Sequence, residues 1–341
     1  MSICIGYDDS QARDGAGSQL QKVIALYGLS KKFKLGFVFQ GLSQVESNPG
    51  DGVKSRKDHQ IQLDELNNSF SFENQICRRK HLIATLPFSR LFRWDSTTRI
   101  WFWLQKIIAT LMRKHLLFLI DSPYYFVERD PSAYLHFSRD FPSKKIMHES
   151  LQIHMHILGA KNSVSIMPER FVPLNWYKSN LKIISEQLTK MDEPHKVVIH
   201  TDAPRLSTEW TPGNQITEST LEYWKKGGLI DNRGRIVLNH LDLESEFCDY
   251  PNLEVVRDIA PLQAWRMITQ ADIFIGAKSS FSVTGAILSS PSLKIFTKFH
   301  HNLPKDWLVL EAEELINPAE IQKFVYAYRA VRKNEKPRSA P

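Results

Sequence analysis

The sequence predicts an α/β fold with two Rossmann-like domains, each built on a parallel sheet. Its 341 residues correspond to about two domains of about 150 residues each. Most of the short apolar runs are continuous, without polar residues at every second position, as expected of strands that are covered on both faces. These runs alternate with segments of helical periodicity, and this order is typical of parallel sheets with crossover helices.

In the first half, each expected strand is a short, β-branched or aromatic apolar run, and each expected helix carries apolar residues at helical spacing. The expected strands are 3–6, 35–40 and 116–121. The expected helices are 18–30 and 98–114. The intervening stretch 41–74 is polar and contains one proline and three glycines, which predicts a long surface loop with a helical piece near 58–66.

The second half repeats the alternation more regularly. Its expected strands are 151–157, 197–201, 253–257, 273–276 and 293–296. Its expected helices are 175–190, 217–225, 261–270, 279–289 and 318–333. A polar break at 130–145 precedes the strand at 151, so we predict domains at 1–148 and 149–333. The basic, proline-containing tail 334–341 is expected to be flexible.

The composition excludes several classes of protein. Lys and Arg number 44 against 37 Asp and Glu, a formal charge of +7 that suits an anionic small molecule at least as well as nucleic acid. The positive charges are dispersed and no aromatic–basic stripe is present, so we expect no nucleic-acid partner. The cysteines Cys4, Cys77 and Cys248 are far apart, which excludes a disulfide framework and a structural zinc site. A reducing, cytoplasmic location is expected.

No secretory signal is visible at the start of the sequence. The most apolar segment, 101–120, contains Lys106, Arg113 and Lys114. Each such charge costs about 2.5–3.5 kcal/mol at the centre of a membrane-spanning helix, which disfavours a span. An amphipathic helix followed by a buried strand accounts for this segment. Peripheral contact of that helix with the inner face of a membrane is left open as an alternative.

A glycine-rich loop follows the first expected strand and contains Asp14, Gly15, Gly17, Ser18 and Gln19. The glycines permit a tight turn and close approach to a ligand. The Ser18 hydroxyl could cap the following helix, whose free N–H groups favour an anion. The loop lacks the third glycine of a dinucleotide-binding fingerprint and the lysine of a P-loop. An ordinary turn therefore stays an alternative.

Two polar groups lie in or just after expected strands of the second half. His154 and His156 are two residues apart, so both face one side of a strand. They could bind a metal, face a phosphate or be structural, and no nearby acidic residue or cysteine completes a metal site. Asp202 follows the next strand, where it could bond a ribose or base, or cap a turn.

A third group surrounds the strand at 273–276. Asp272 precedes that strand, and Lys278, Ser279, Ser280 and Ser282 follow it at a helix start. Hydroxyls, free N–H groups and an ammonium could hold a diphosphate. The alternative is a well-capped helix beside a solvated lysine. The sequence has no nucleophile elbow, zinc-protease motif or Asp-x-Asp dyad, which disfavours metal-dependent sugar transferases.

In their order, these segments resemble the fucosyltransferase-like glycosyltransferases of the GT-B fold. The stretch 170–177 and the ending around 299–307 are similar to a divergent bacterial and algal branch of that group. The family has a Gly-x-Gly-Asn-Gln loop, a His-x-Arg-Arg-Gly-Asp strand, a Thr-Asp strand end and an Ala-Asp segment followed by Ser-Ser-Phe-Ser. The corresponding segments here are 15–19, 154–156, 201–202 and 271–282. The likeness extends over about residues 11–310.

The resemblance implies two Rossmann-like domains that face each other across a cleft, with the acceptor on the N-terminal side and a GDP-sugar, usually GDP-fucose, on the C-terminal side. It implies inverting transfer without a metal or other cofactor, to a carbohydrate or glycolipid acceptor, as in polysaccharide biosynthesis. Carried over by position, the donor-binding residues are Gly15, Gly17, Ser18, Gln19, His154, Arg170, Asp202, Asp272, Lys278, Ser279, Ser280, Phe281 and Ser282. Asp14 is the expected base, and His156 occupies the position of the first motif arginine.

The sequence departs from the family at that arginine. His156 and the four residues after it replace the Arg-Arg-Gly-Asp core. An imidazole is neither permanently charged nor bidentate, and losing a transition-state charge partner costs about 2–4 kcal/mol. Another cation could substitute (Arg13, Lys161, Arg170 or Lys278), or the donor could differ. The expected activity is transfer of fucose or a related deoxyhexose. The alternative is a non-catalytic relative that binds a glycan or nucleotide as a recognition or assembly subunit.

Overall fold

A computed structural model of the chain contains two separate parallel β-sheets with helices packed on them, and this confirms the expected fold class. The residues that the structure describes are 3–8, 15–39, 41–43, 45, 56–69, 81–85, 96–112, 115–120, 123, 130–141, 145–146, 148–158, 170, 172–201, 222, 242–257, 259–289, 293–298 and 302–335.

The first sheet has the strand order β2-β1-β4-β3, and all its neighbouring strands are parallel. Its elements in chain order are β1 (Ile3–Tyr7), α1 (Ala16–Phe33), β2 (Gly36–Val38), α2 (Arg56–Ser69), β3 (His81–Thr85), α3 (Ser96–Leu111), β4 (His115–Ile120) and α4 (Ser132–Asp140). The central strands β1 and β4 are nearly fully buried, as their continuous apolar sequences require.

The second sheet has the order β10-β9-β8-β5-β6-β7, again all parallel. Its elements are β5 (Leu151–Ile157), α5 (Leu174–Lys190), β6 (His195–Thr201), α6 (Leu243–Glu246), β7 (Leu253–Val256), α7 (Pro261–Ile268), β8 (Ile273–Gly276), α8 (Ser280–Leu288), β9 (Leu293–Thr297), β10 (Leu308–Leu310) and α9 (Pro318–Glu335). Since β5 is the first strand and β8 the fourth, this is the doubly wound order of a Rossmann sheet.

Most expected elements are found within a few residues of their expected bounds. The sequence patterns did not reveal β3, β10 or α4, and α4 occupies what was expected to be an irregular polar break. The expected helix at 217–225 lies, apart from residue 222, outside the described residues. Helix α9 continues to Glu335, so the first two residues of the expected flexible tail are helical.

Helix α1 lies between the two sheets and is buried on nearly every side. It packs against α4 and α8, and a Cβ at Gly28 would lie 2.3 Å from the Cβ of Ala133 in α4. Side chains of α1 share one apolar cluster with Trp265 and Phe296 of the second half. The two halves are therefore joined by a continuous core along α1.

Helix α3 and strand β4 are the amphipathic helix and the buried strand expected for residues 101–120. Within the described part of the chain, no helix combines the length and apolar character that crossing a membrane requires.

Candidate functional site

The second sheet reverses its strand order between β5 and β8, with β6 and β7 on one side and β9 and β10 on the other. In open parallel sheets, ligands bind beyond the carboxyl ends of the strands at such a reversal. His156 lies at the carboxyl end of β5, and the turn 277–279 connects β8 to α8 at the same edge. The structure thus brings two of the segments singled out in the sequence to one point.

The His156 ring is fixed against the start of α8. It is 4% exposed, its Nδ1 lies 2.6 Å from the Ser282 hydroxyl, and its ring centroid lies 4.9 Å from that of Phe281. The Ser282 hydroxyl also accepts a 3.0 Å hydrogen bond from the Ala277 N–H. Ser282 therefore links the end of β5 to the turn after β8, and His156 is part of that link.

The start of α8 is capped from within. Ser279 is the N-cap residue, and its hydroxyl accepts a 3.1 Å bond from the Ser282 N–H. Ser279 and Ser282 are both buried, whereas Lys278 and Ser280 are half-buried at the edge of the turn. The capped helix that the sequence left open as an alternative thus accounts for Ser279 and Ser282. For Lys278 and Ser280, ligand binding stays a prediction.

Phe281 occupies the first turn of α8 and is held by an aromatic stack. Its ring lies 5.1 Å from that of Trp265 at an angle of 22°, and the Trp265 indole N–H donates a 3.1 Å bond to the Phe281 carbonyl. These contacts fix the direction in which the first turn of α8 points.

The start of α1 has no side-chain cap. The N-cap residue is Gly15, and the helix begins at Ala16, so Ser18 lies inside the first turn and does not cap it as expected. The first N–H groups of a helix have no partner within the helix and carry a partial positive charge. The Gly15 carbonyl accepts from the Gln19 N–H, and this bond closes the first turn.

The starts of α1 and α8 are in direct contact. A Cβ at Gly17 would lie 2.6 Å from the backbone nitrogen of Phe281, and the Thr284 hydroxyl donates a 3.2 Å bond to the Gly17 carbonyl. Only a glycine permits this approach. The carboxyl edges of the two sheets therefore meet where two helix N-termini converge.

Gln19 adds a buried donor beside this contact. The Tyr7 hydroxyl, at the end of β1, donates a 2.6 Å bond to Gln19 Oε1. The Gln19 side chain is fully buried, and its Nε2 has no hydrogen-bond partner. A buried amide N–H without an acceptor costs about 1–3 kcal/mol, and a ligand acceptor could remove that cost.

His154 and His200 form a buried pair on the same sheet face as His156. His154 Nδ1 lies 3.0 Å from His200 Nε2, and the rings are stacked. Burial lowers the pKa of His154 to about 3 and holds the pKa of His200 well below its usual value. Both imidazoles are neutral at physiological pH, so His154 presents no charge to an anion. The sequence analysis did not single out His200, whose place on this face follows from its register opposite His156.

Asp272 is not brought together with these residues. It precedes β8 at the amino edge of the sheet, where its carboxylate accepts a 2.7 Å bond from the Gln152 N–H and lies 2.6 Å from Lys145 Nζ. The expected strand at 273–276 already placed Asp272 at that edge, and only the family resemblance assigned it to the donor. Its contacts are structural: a hydrogen bond from Gln152 of β5 and an ion pair with Lys145, which precedes β5.

For the remaining predicted site residues, the structure gives little or no information about contacts with the site. Asp14 and Asp202 lie outside the described residues. Arg170 is half-buried, and its Nε is buried without a hydrogen-bond partner. Asp8 was not singled out, although it follows β1 directly and is a half-buried carboxylate at the carboxyl edge of the first sheet. The general rule that ligand-binding loops follow parallel strands could have identified it.

A metal site is not formed by the described residues, among which no group of three histidine, cysteine or acidic side chains could hold an ion. His154 and His156 each bond another protein group, His200 and Ser282 respectively. Their expected common orientation on one strand face is confirmed by the register of β5 and β6. In the described part of the site, polar groups engage one another, and the start of α1 is the main exception.

No protein-family model and no curated protein matches this chain. Solved structures with a weak likeness include the E. coli heptosyltransferase WaaC with ADP, at 11% identity over 96% of this chain and 99% of that chain, with a TM-score of 0.37. E. coli ADP-heptose LPS heptosyltransferase II matches at 9% identity over 98% and 100%, with a TM-score of 0.37. The UDP-GlcNAc 2-epimerase from Methanocaldococcus jannaschii matches at 8% identity over 95% and 91%, with a TM-score of 0.31. Likenesses of this size establish neither a family nor an activity.

Proposed function

We propose that this protein is a glycosyltransferase that uses a nucleotide-diphosphate sugar as its donor. The observation that carries the proposal is the contact between the starts of α1 and α8 at the strand-order reversal of the second sheet. A diphosphate placed there would face the first turns of two helices. Each helix N-terminus carries roughly half a positive charge, which favours a bound anion.

The proximity of two like partial charges supports the same proposal. Two helix N-termini in contact repel each other, and an anion bound beside the contact, within reach of both first turns, would offset that repulsion. The start of α8 is capped by Ser279, whereas the start of α1 has only Gly15 at the N-cap position. We therefore assign the α1 first turn to the donor phosphates, with Lys278 and Ser280 on the opposite side.

The donor identity rests on the resemblance to fucosyltransferase-like enzymes. On that basis we propose a GDP-sugar, with fucose or a related deoxyhexose as the transferred group and a carbohydrate or glycolipid as the acceptor. Gln19 Nε2 and the half-buried Lys278 are the donors that we expect to contact the ligand. Arg170, with a buried unpaired Nε, is proposed as a further cation of the site.

The chemistry requires an acceptor hydroxyl to attack the anomeric carbon while the nucleoside diphosphate leaves. A carboxylate that takes the hydroxyl proton would sit on the acceptor side. Asp14 and Asp8 both follow β1 and are the proposed candidates. Stabilisation of the leaving diphosphate would come from helix N–H groups and Lys278, since His156 is bonded to Ser282 and does not replace the family arginine as a fixed charge.

The test is a calorimetric titration of the purified chain with GDP, UDP and ADP, with and without EDTA. Selective binding of GDP that EDTA does not alter is the expected result. Lys278→Ala and Ser280→Ala should each weaken binding about tenfold, because each removes a hydrogen-bond donor to a phosphate. Lys305→Ala, at an exposed position, and Ser138→Ala, at a half-buried one, are the matched controls. Unchanged affinity in both site variants would overturn the assignment.

A second candidate function is nucleotide or glycan binding without transfer. It is favoured by the histidine face of β5 and β6, where the positions of the family's charged motif hold internally bonded rings. Under this candidate, GDP binds, yet no GDP-sugar is consumed in the presence or absence of acceptors. His156→Arg separates the two, because a gain of donor hydrolysis or transfer would indicate a transferase with a weakened site.

A further inference from the structure

Helix α3 has an apolar face that is turned towards solvent. Large side chains recur at the spacing of one helix face, and most are about half exposed or more. These residues, called the α3 apolar face below, are Ile100, Trp103, Leu104, Ile107, Ile108 and Leu111. Trp103 is 61% exposed and Leu111 is 77% exposed. Contiguous exposed apolar surface of this kind marks an interaction site.

The opposite face of the same helix anchors it to the first sheet. Phe102 is 4% exposed and Ala109 is 1% exposed. The Phe102 ring lies 5.8 Å from that of Phe33 in α1, and the Trp101 ring lies 5.3 Å from that of Phe118 in β4. The helix therefore has two apolar faces, of which one belongs to the core. The outer one is not needed to hold α3 in place.

Basic residues border the α3 apolar face. Arg99 and Lys106 are seven residues apart, so both lie on one edge of the helix, and both are exposed. Arg99 also lies over the Phe33 ring, next to the exposed Lys34 at the end of α1. The sequence from 96 to 120 contains four Lys and Arg residues and no Asp or Glu. Within this stretch, the charged residues that accompany the apolar face are all positive.

We infer that α3 docks this protein on an anionic lipid surface, with the helix lying in the plane of the membrane. An exposed stripe of tryptophan and aliphatic side chains with lysine or arginine at its edge is the pattern of interfacial helices. The bilayer's apolar region would take up Trp103 and Leu111, and its anionic headgroups would attract Arg99 and Lys106. A protein partner with a neutral or basic surface could cover the α3 apolar face but would not attract the positive charges of Arg99 and Lys106.

Docking does not require the proposed transferase function, because α3 lies in the first half and shares no residue with the site at α1 and α8. If the proposed function holds as well, docking would hold the site beside acceptors that are attached to lipid. The docking inference and the proposed function can each be overturned without the other. Vesicle binding is measured without nucleotide, and nucleotide titration is measured without vesicles.

The experiment is co-sedimentation of the full chain with phosphatidylcholine vesicles that either contain or lack phosphatidylglycerol. Binding to the anionic vesicles that weakens with salt is expected. The double variant Trp103→Gln, Leu111→Gln should lower the partition coefficient about tenfold or more, since two exposed apolar anchors are lost. Lys106→Glu should lower it for anionic vesicles alone.

Matched controls use the exposed face of α9. Tyr326→Gln with Val331→Gln removes two exposed apolar side chains there, and Lys323→Glu reverses an exposed charge; neither should alter vesicle binding. All these positions are exposed, and an unchanged circular dichroism spectrum verifies folding. Absence of binding to anionic vesicles overturns the inference. So does a wild-type dimer that the double variant converts to a monomer in light scattering without any loss of vesicle binding.

Discussion

The first turns of α1 and α8 differ in how their free N–H groups are satisfied. Both helices follow a central strand of a parallel sheet, and their first turns touch at Gly17 and Phe281. The α8 turn is capped by Ser279 and braced by Ser282. The α1 turn begins at Gly15 without a side-chain cap, beside the buried Gln19, whose Nε2 has no hydrogen-bond partner.

This difference distinguishes polar groups that are bonded within the protein from polar groups that remain available to a ligand. Where the chain satisfies its own donors, as at α8, a substitution should change stability. Where it leaves donors without partners, as at α1, a substitution should change ligand affinity more than stability. A residue type alone does not decide between the two, since the predicted diphosphate site includes serines of both kinds.

The largest expected effect breaks the contact between the two turns. Gly17→Ala would place a Cβ 2.6 Å from the Phe281 nitrogen and 2.7 Å from its Cα, both backbone atoms that cannot move alone. We expect a loss of about 3 kcal/mol in unfolding free energy, measured by urea denaturation. Gly285→Ala is the control, because its nearest neighbours are side-chain carbons of Ile268 at 3.1 and 3.3 Å. Equal effects of the two would contradict a backbone contact at Gly17.

The next effect tests the hydrogen bonds that the Ser282 hydroxyl makes at the start of α8. Ser282→Ala removes the acceptor of the Ala277 N–H and the partner of His156, so we expect a loss of about 2 kcal/mol. Ser30→Ala is the matched control, since Ser30 is equally buried and donates to the nearby Tyr27 carbonyl. Thermal or urea unfolding measures both. If Ser282→Ala lowers the unfolding free energy no more than Ser30→Ala does, the hydrogen bonds of Ser282 are not important for stability.

A smaller effect sharpens the assignment of α1. Gln19→Leu removes the unpaired donor, and we expect about tenfold weaker nucleotide binding in calorimetry. Gln21→Leu is the control on the same helix: Gln21 is also fully buried, donates a 2.5 Å bond to the Tyr134 hydroxyl, and has an unpaired Oε1 instead of an unpaired Nε2. Both variants lose one buried tyrosine bond and should lose similar stability. Equal affinities would remove Gln19 from the proposed site.

The effect that is smallest at neutral pH concerns the buried His154–His200 pair of β5 and β6. The pKa of His154 is about 3 in the fold and that of His200 is also lowered, whereas unfolded histidine titrates near 6.5. The unfolded state therefore binds more protons below about pH 6.5, and stability falls as the pH decreases from there towards 3. For each histidine that stays neutral in the fold, we expect the slope to approach about 1.4 kcal/mol per pH unit well below pH 6.5. The double variant His154→Gln, His200→Gln should flatten the profile between pH 7 and 5.

Much of the fold could be predicted because parallel sheets leave a strong sequence pattern. The strands at 151–157 and 273–276 were expected with the bounds that the structure has. Helix α4 was not expected, because its residues are mostly polar or aromatic and its burial depends on packing against α1. Strand β10 has three residues, too few for any periodicity.

The sequence indicated which segments form the site, but not the contacts that individual residues make within it. The order of the motifs indicated which loops meet, and His156 and the turn before α8 do meet. The sequence could not show that Ser279 and Ser282 are used internally, or that α1 begins before Ser18. The cap by Ser279 is local and was left open as an alternative, whereas the contacts of His156 with Ser282 and of Gly17 with Phe281 join residues that are distant in sequence.

The position of α1 has a consequence for how the protein unfolds. Because Leu20 and Ile24 of α1 belong to a cluster that also includes Trp265 and Phe296, neither half has a complete core of its own at this junction. The two halves should lose structure in one cooperative transition, with the amides of α1 among the slowest to exchange with deuterium. A helix shared in this way also limits hinge opening between the sheets, so under the proposed function a donor would have to enter without separation of the two halves.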